Sequence, residues 1–386
     1  NLVLNHAQEL VILVHFVLAE TEWANEHWLD DGEMGLQRKL FFRELNARFG
    51  YLNGVKWNLS EENDYPVTVL REMASYLREV DPYDHTIAVH THPNDVSDYE
   101  AIVGDPLFDS ASIQYSTAIA ENLSLQVRNM SRNAGRKWVV DMDENGTWDV
   151  GVSGSNANEM RCEVLYDVLF NNGGVEWYAG YHQLPLGGDV RMENFRTRDE
   201  IFRYSRIARE FLEENFTPAT MFLADQLVSG ESGEFGGAEV ILAPADRMAI
   251  YLPRASQSPT VDLSQMPGTY RVSWISPRTG EAAGVGPQLA RRRSPPHGRP
   301  SPPLGSTRLA GLRAEPRLRG LCSAPTHDET DLRSPPRAAS PLDRPRAARR
   351  TRRLRRGRRR LPPERDPDHA RHRPGGPSLV LRRNDG

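Results

Sequence analysis

From residue 9 to about residue 215 the chain repeats one pattern: a short apolar run, an amphipathic stretch, then another run. The runs are Leu10–Phe16, Gly54–Leu59, Thr86–His92, Ala111–Tyr115, Lys137–Met142 and Gly174–Ala179. Helical spacing fills several of the intervals. Leu36, Leu40, Phe41, Leu45 and Phe49 make one apolar stripe. Val69, Leu70, Met73, Leu77 and Val80 make a second, with Pro66 suited to its first turn. Val164, Leu165, Val168 and Leu169 make a third, which Gly173 can close. Ile201, Ile207, Phe211 and Leu212 make a fourth, opened by Thr197 with Glu200 three residues on, a capping box. Strand, helix, strand at this spacing requires right-handed crossovers and a parallel sheet. The near-continuous apolarity of the runs implies strands buried on both faces.

Two architectures satisfy that pattern, an open doubly wound sheet and a closed barrel. The open sheet calls for a Gly-rich phosphate loop after an early strand, and the sequence has none. Polar residues sit instead at the C-terminal ends of the runs: Glu20, Glu61 and Glu62, His90 and His92, Gln114, Asp143 and Glu144, and Tyr178. In a barrel those ends converge on one mouth. Residues 1–216 therefore read as an α/β domain, a (β/α)8 TIM barrel with its first strands missing, since six runs are present where eight are required. Residues 217–287 carry Val240–Ala243, Met248–Leu252, Val261–Leu263 and Tyr270–Ile275 between Pro, Gly and Asp turns, the pattern of a small antiparallel β-sandwich domain.

Charge divides the chain again. The net charge of −4 conceals −21 over residues 1–287 and +17 over residues 288–386. The latter hold 26 Arg, no Lys, no aromatic residue and 16 of the 28 prolines. Such a tail is expected to be disordered, because it has too little apolar surface to offset its conformational entropy. An Arg-rich tail can be a nucleic-acid arm. Arg without Lys or aromatics follows codon content better, so we read the tail as an out-of-frame product and expect no nucleic-acid partner. The longest apolar run, residues 10–18, is too short to span a bilayer, and no membrane partner is expected. Cys162 and Cys322 fall in unrelated regions and indicate neither a disulfide framework nor a cysteine metal site.

Two strand ends carry the sharpest chemistry: Trp57-Asn-Leu-Ser-Glu-Glu-Asn63 and Trp138-Val-Val-Asp-Met-Asp-Glu-Asn145. Glycoside hydrolysis requires two carboxyls flanking the scissile bond, one protonated as acid and one acting as nucleophile or base. Other readings compete for the same residues. Strand-end acids can cap helices. His90 and His92, two apart on a strand, face one side and could bind zinc in a metal-dependent hydrolase. Asp141–Asp149 mimics the start of a calcium loop, but position twelve is Val152 instead of Glu. No third ligand for the histidines is evident, so no metal or other cofactor is expected. Trp148, Trp177, Tyr178 and Tyr181 could stack on sugar rings.

The strand ends also resemble a family. Trp57-Asn-Leu-Ser-Glu-Glu is similar to the strand-four motif, ending in Asn-Glu, of the large clan of retaining glycoside hydrolases with (β/α)8 barrels. The resemblance implies Glu62 as acid/base, Glu61 in the place of the usual Asn, and Glu144, on the seventh strand, as nucleophile. It implies Trp177 as the eighth-strand aromatic platform, with Asn58, Glu61, His90, His92, Gln114, Asp143 and Tyr178 as substrate-binding residues. Over about residues 5–280 the chain is similar to bacterial proteins that join a glycosidase-like barrel to a domain named for collagen binding in a collagenase. The matching segments are Ala249-Ile-Tyr-Leu-Pro and Tyr270-Arg-Val-Ser-Trp-Ile-Ser-Pro-Arg-Thr-Gly. That resemblance implies a carbohydrate substrate, a secreted or periplasmic location, and a β domain that binds collagen or glycan. A barrel that binds without catalysis is the alternative.

Overall fold

The computed structural model describes residues 1–20, 23–115, 120–145, 151–179, 195–217, 220–230, 237–244, 246–253, 259–264, 266, 268–285, 289–290, 306–308 and 378–383. These residues fall in one compact unit, Asn1–Cys322 together with Pro374–Gly386. Its first part alternates helix and strand: α1 (Leu2–Glu9), β1 (Val14–Val17), α2 (Trp23–Glu26), α3 (Leu36–Phe49), β2 (Val55–Asn58), α4 (Val67–Val80), β3 (Thr86–His90), β4 (Ser110–Tyr115), α5 (Ala120–Asn133), β5 (Val139–Asn145), α6 (Ala157–Met160), α7 (Tyr166–Phe170), β6 (Gly174–Val175) and α8 (Asp199–Asn215). A π-helical turn, Arg161–Leu165, joins α6 to α7.

The strands β1 to β6 pair in chain order, every neighbour parallel. Laid flat, the outer two of six strands would lie about 24 Å apart at the usual inter-strand spacing. Yet His15 on β1 hydrogen-bonds Glu176, just past β6, at 2.9 Å. The sheet must therefore curl until its first and last strands face one another across a lumen. The result is a curled parallel half-barrel with a core of strand and helix residues such as Trp57, Ile87, Val89, Met73 and Val168.

Details depart from the sequence expectations for local reasons. The run from Leu10 is not all strand. Val11 takes a left-handed φ of 58°, and Val14 is the first residue with a partner, Val55 on β2. Leu36 and Leu40 on α3 are exposed, while Phe41, Leu45 and Phe49 pack against the core. Phe49 stacks on Phe16, which stacks on Trp57. No side-chain cap bond forms at the start of α8; Glu200 accepts from Tyr204 one turn on. After α7, Asn172 rather than Gly173 adopts the left-handed turn. Cys162 is fully buried in the π-helical turn, where Arg161 donates to its Sγ at 3.2 Å.

Beyond α8 lie β7 (Phe222–Leu223), β8 (Val228–Ser229), β9 (Glu239–Ala243), β10 (Arg247–Tyr251), β11 (Thr260–Asp262), β12 (Thr269–Ile275), β13 (Ala282–Val285), β14 (Leu289–Ala290), β15 (Ser306–Arg308) and β16 (Ser378–Arg383). They form two antiparallel sheets, ordered β13-β12-β16-β10-β9-β7, with β14 also on β12, and β15-β11-β8. Val261 and Leu263 share a cluster with Val240, Leu242, Met248, Ile250 and Val272, so both sheets contribute to one core. Three described segments of the tail, β14, β15 and β16, thus join sheets, where the sequence implied no structure. Ser378-Leu-Val-Leu is the tail's one β-like apolar run, and it pairs on both sides, with β10 and with β12. The β part meets the barrel where Tyr251 stacks on Tyr166, ring centroids 4.1 Å apart, and accepts a 2.8 Å hydrogen bond from Arg161. No described helix is long and apolar enough to cross a membrane.

Candidate active site

Side chains alternate in and out along each strand, so polar residues two apart on these buried strands face one lumen. Lys56, on β2, is buried and donates to Asp141 of β5 at 2.9 Å and to Glu176 at 3.2 Å. The Nδ1 of His15 lies 3.7 Å from Asp143 Oδ2, and Nε2 of buried His90 lies 3.7 Å from Asp143 Oδ1. Five strand positions thereby meet in one charged network. Burial opposes the charge on Lys56, but Asp141, Glu176 and Asp143 raise its pKa overall. Burial alone would raise Glu176; the hydrogen bonds and charges of His15 and Lys56 instead bring it down to about 2. Asp143 has the opposite fate, since burial lifts it well above the ordinary carboxylate range against the pull of Lys56.

Above this network lies a carboxyl pair. Parity alone would send Asp143 inward and Glu144 outward. The ladder between β4 and β5 shifts after Ile113, so that Met142 pairs with Ile113 but Glu144 with Gln114. One extra residue, a β-bulge, re-aims the side chains that follow it. Glu144 thus reaches Glu61, with which it shares a hydrogen bond. Carboxyl oxygens of both and a ring nitrogen of His90 lie within 4.8 Å of one another. Burial, the charge of Glu144 and that hydrogen bond push the Glu61 carboxyl up to about 9, with Glu20 and Glu62 adding repulsion. The Glu61 carboxyl therefore holds its proton at neutral pH. Burial, then the neighbouring His15 and Lys56, pushes His90 down to about 3, which keeps its imidazole neutral.

The other expected site residues divide. Asn58 is buried and reaches Ser112 Oγ at 3.5 Å, and Gln114 is buried on β4. Buried polar atoms of Asn58, His90, Gln114, Asp143 and Asn145 make no hydrogen bond among the described residues, a concentration of hydrogen-bonding capacity that suits a polar ligand. Glu62 lies half-buried in a turn with a left-handed φ of 42° and acts on Glu61 through charge. His92 turns to Asp64 at 3.1 Å and belongs to neither group of converging metal-ligand side chains among the described residues. Those groups are Glu61, His90, Glu144 and His15, Asp143, Glu176. In the second, the Lys56 ammonium already supplies the positive charge; in the first, a proton does. Trp177 donates from its indole to Ser205 of α8 at 2.7 Å, and the Tyr178 carbonyl accepts from the Val152 N–H. Trp148, Tyr181 and the middle of the calcium-like segment lie outside the described residues.

His15, Lys56 and Glu176 were not singled out from the sequence, and Asp141 was read only as the start of a calcium-like loop. The signal was present: each is a polar residue at an inward position of an otherwise apolar buried strand, or one step past its end.

Carboxyls gathered at the C-terminal ends of curled parallel strands occupy the place where a (β/α) barrel carries its active site. Solved structures with this fold include a family 5 glycoside hydrolase from Bacteroides vulgatus ATCC 8482, 14% identical, with a TM-score of 0.57 over 72% of this chain and 66% of that one. Another, described as a glycoside hydrolase, is 13% identical, with a TM-score of 0.51 over 70% of this chain and 64% of the other. This chain thus spans just under two thirds of the length of these two solved structures. No protein-family description and no curated protein matches it.

Proposed function

We propose that the chain carries the chemistry of a retaining glycoside hydrolase acting on a carbohydrate substrate. The observation that supports this most is the Glu61–Glu144 pair, two carboxyls close enough to share one proton, brought from strands far apart in sequence. Retention needs one protonated carboxyl to donate to the leaving oxygen and a second, about 5–5.5 Å away, to attack the anomeric carbon. Glu61 and Glu144 are hydrogen-bonded and closer than that, so a sugar entering between them must part them. Glu61, held protonated up to about 9, suits the acid/base role that the sequence motif gives to Glu62. Glu144 suits the nucleophile. Neutral His90, Asn58 and Gln114 supply hydrogen bonds to sugar hydroxyls.

The test is turnover of a panel of aryl glycosides by the intact chain and its variants. Glu61→Gln and Glu144→Gln should each lower kcat/KM by about 10²–10⁴-fold. Glu62→Gln should stay within a few-fold of the parent. Full activity in both of the first two variants would sink the proposal. Loss in Glu62→Gln alone would return the acid role to Glu62.

A further inference from the structure

At the N-terminal ends of β5 and β6, away from the carboxyls, an open cavity of about 510 Å³ lies between α5, the turn after α7, and β7. Its volume is in the range of small-ligand sites. Three cations line it: Arg128 and Arg132 from α5 and Lys137 just before β5. Among the described residues, no acidic residue does. Arg132 donates to the side-chain oxygen of Asn129. No carboxylate pairs with Arg128, Arg132 or Lys137 among the described residues, although carboxylates outnumber cations about two to one over residues 1–287. Burial, and then the like charge of Arg132, weakens the hold of Arg128 on its proton. That arrangement is electrostatically uncomfortable unless an anion answers it. Trp138 forms part of the wall, with a buried indole N–H that has no acceptor among the described residues, and Phe222 stands exposed at the rim as an apolar face.

We infer that this cavity binds an oxyanion, carried on a small ring such as an acidic sugar. The guanidinium groups give charge-assisted hydrogen bonds to carboxylate or sulfate oxygens, and the ammonium adds a point charge. The Phe222 ring offers the flat contact that a sugar face needs. The site is independent of the chemistry at the barrel mouth, and its ligand need not be the substrate.

Calorimetric titration of the intact protein at low ionic strength with sodium glucuronate, sodium sulfate and glucose tests it. Glucuronate and sulfate should bind and glucose should not, with affinity falling as salt is raised. Arg128→Gln and Lys137→Glu should each weaken anion binding about tenfold or more. Lys137 is exposed, so its substitution leaves folding intact and keeps the test decisive. Absence of anion binding, equal binding of glucose, or affinities unchanged in both variants would overturn the inference.

Discussion

Lys56 sits where two carboxylates would otherwise face each other inside the barrel. Its side chain is 2% exposed, and its ammonium is shared between Asp141 and Glu176. Lys56→Met keeps the volume but takes the ammonium from Asp141, whose side chain is 15% exposed, while the more exposed Glu176 keeps His15. Breaking one side of a buried ion pair in this way costs about 3–5 kcal/mol, a loss to be read from denaturant unfolding. Activity should fall with it, because Glu176 and Asp141 support the floor beneath the carboxyl pair. Glu61 leads to a prediction of another kind. If it donates the proton, kcat/KM declines as pH rises through about 9, where its carboxyl ionises. A pH profile whose alkaline limb is unmoved by Glu61→Asp would argue that the acid is another group. Residues of this sort were half legible in the sequence. Glu61 and Glu144 stood out as acids at strand ends. Their pairing did not, because it depends on a bulge in β5 that only the register with β4 reveals.

At the scale of elements, the helices and strands of the barrel follow the apolar periodicity closely, since β2, β3 and β4 are buried nearly throughout and α4 has a single apolar face. The periodicity fails where burial is not what fixes the backbone. The first strand is shorter than its apolar run because pairing with β2 begins only at Val14. Trp177 goes to the helix layer because Glu176 before it points inward, and alternation decides the rest. The β strands after residue 217 were legible as strands, but nothing in their alternation distinguishes a collagen-binding surface from a glycan-binding one. The join between α7 and β10 could not be foreseen at all, being a tertiary contact between Arg161, Tyr166 and Tyr251. It is testable: Tyr251→Phe keeps the stacked ring but leaves the buried Arg161 guanidinium short of an acceptor. The expected loss is about 1–3 kcal/mol, seen as a lowered unfolding midpoint with the barrel's activity intact at low temperature.

For the whole molecule, the site sets how stability varies with pH. Burial and neighbouring positive charge bring His90 down to about 3 in the folded chain from its ordinary 6.5, so the unfolded chain binds the proton first. Stability is therefore lost as pH falls from 6.5 towards 3. Glu61 works in the opposite sense. Its folded pKa lies near 9 against 4.5, so the folded chain holds the extra proton, and its contribution fades as pH rises through that window. The parent should be most stable between these limits. Glu61→Gln should flatten the alkaline side, and His90→Gln the acid side, of a plot of unfolding midpoint against pH. A parent profile with no slope on either side would contradict both assignments.

The hydrogen bond from His15 to Glu176 spans 161 positions of sequence. A contact of that separation is closed late, after the local helices and neighbouring strand pairs have formed. The floor of the mouth is thus assembled only when the sixth strand arrives, and until then Lys56 lacks half its partners. In a refolding experiment, helical signal should recover well before the lumen becomes able to hold a ligand, and a growing chain on the ribosome would stay functionally silent until residue 176 had emerged.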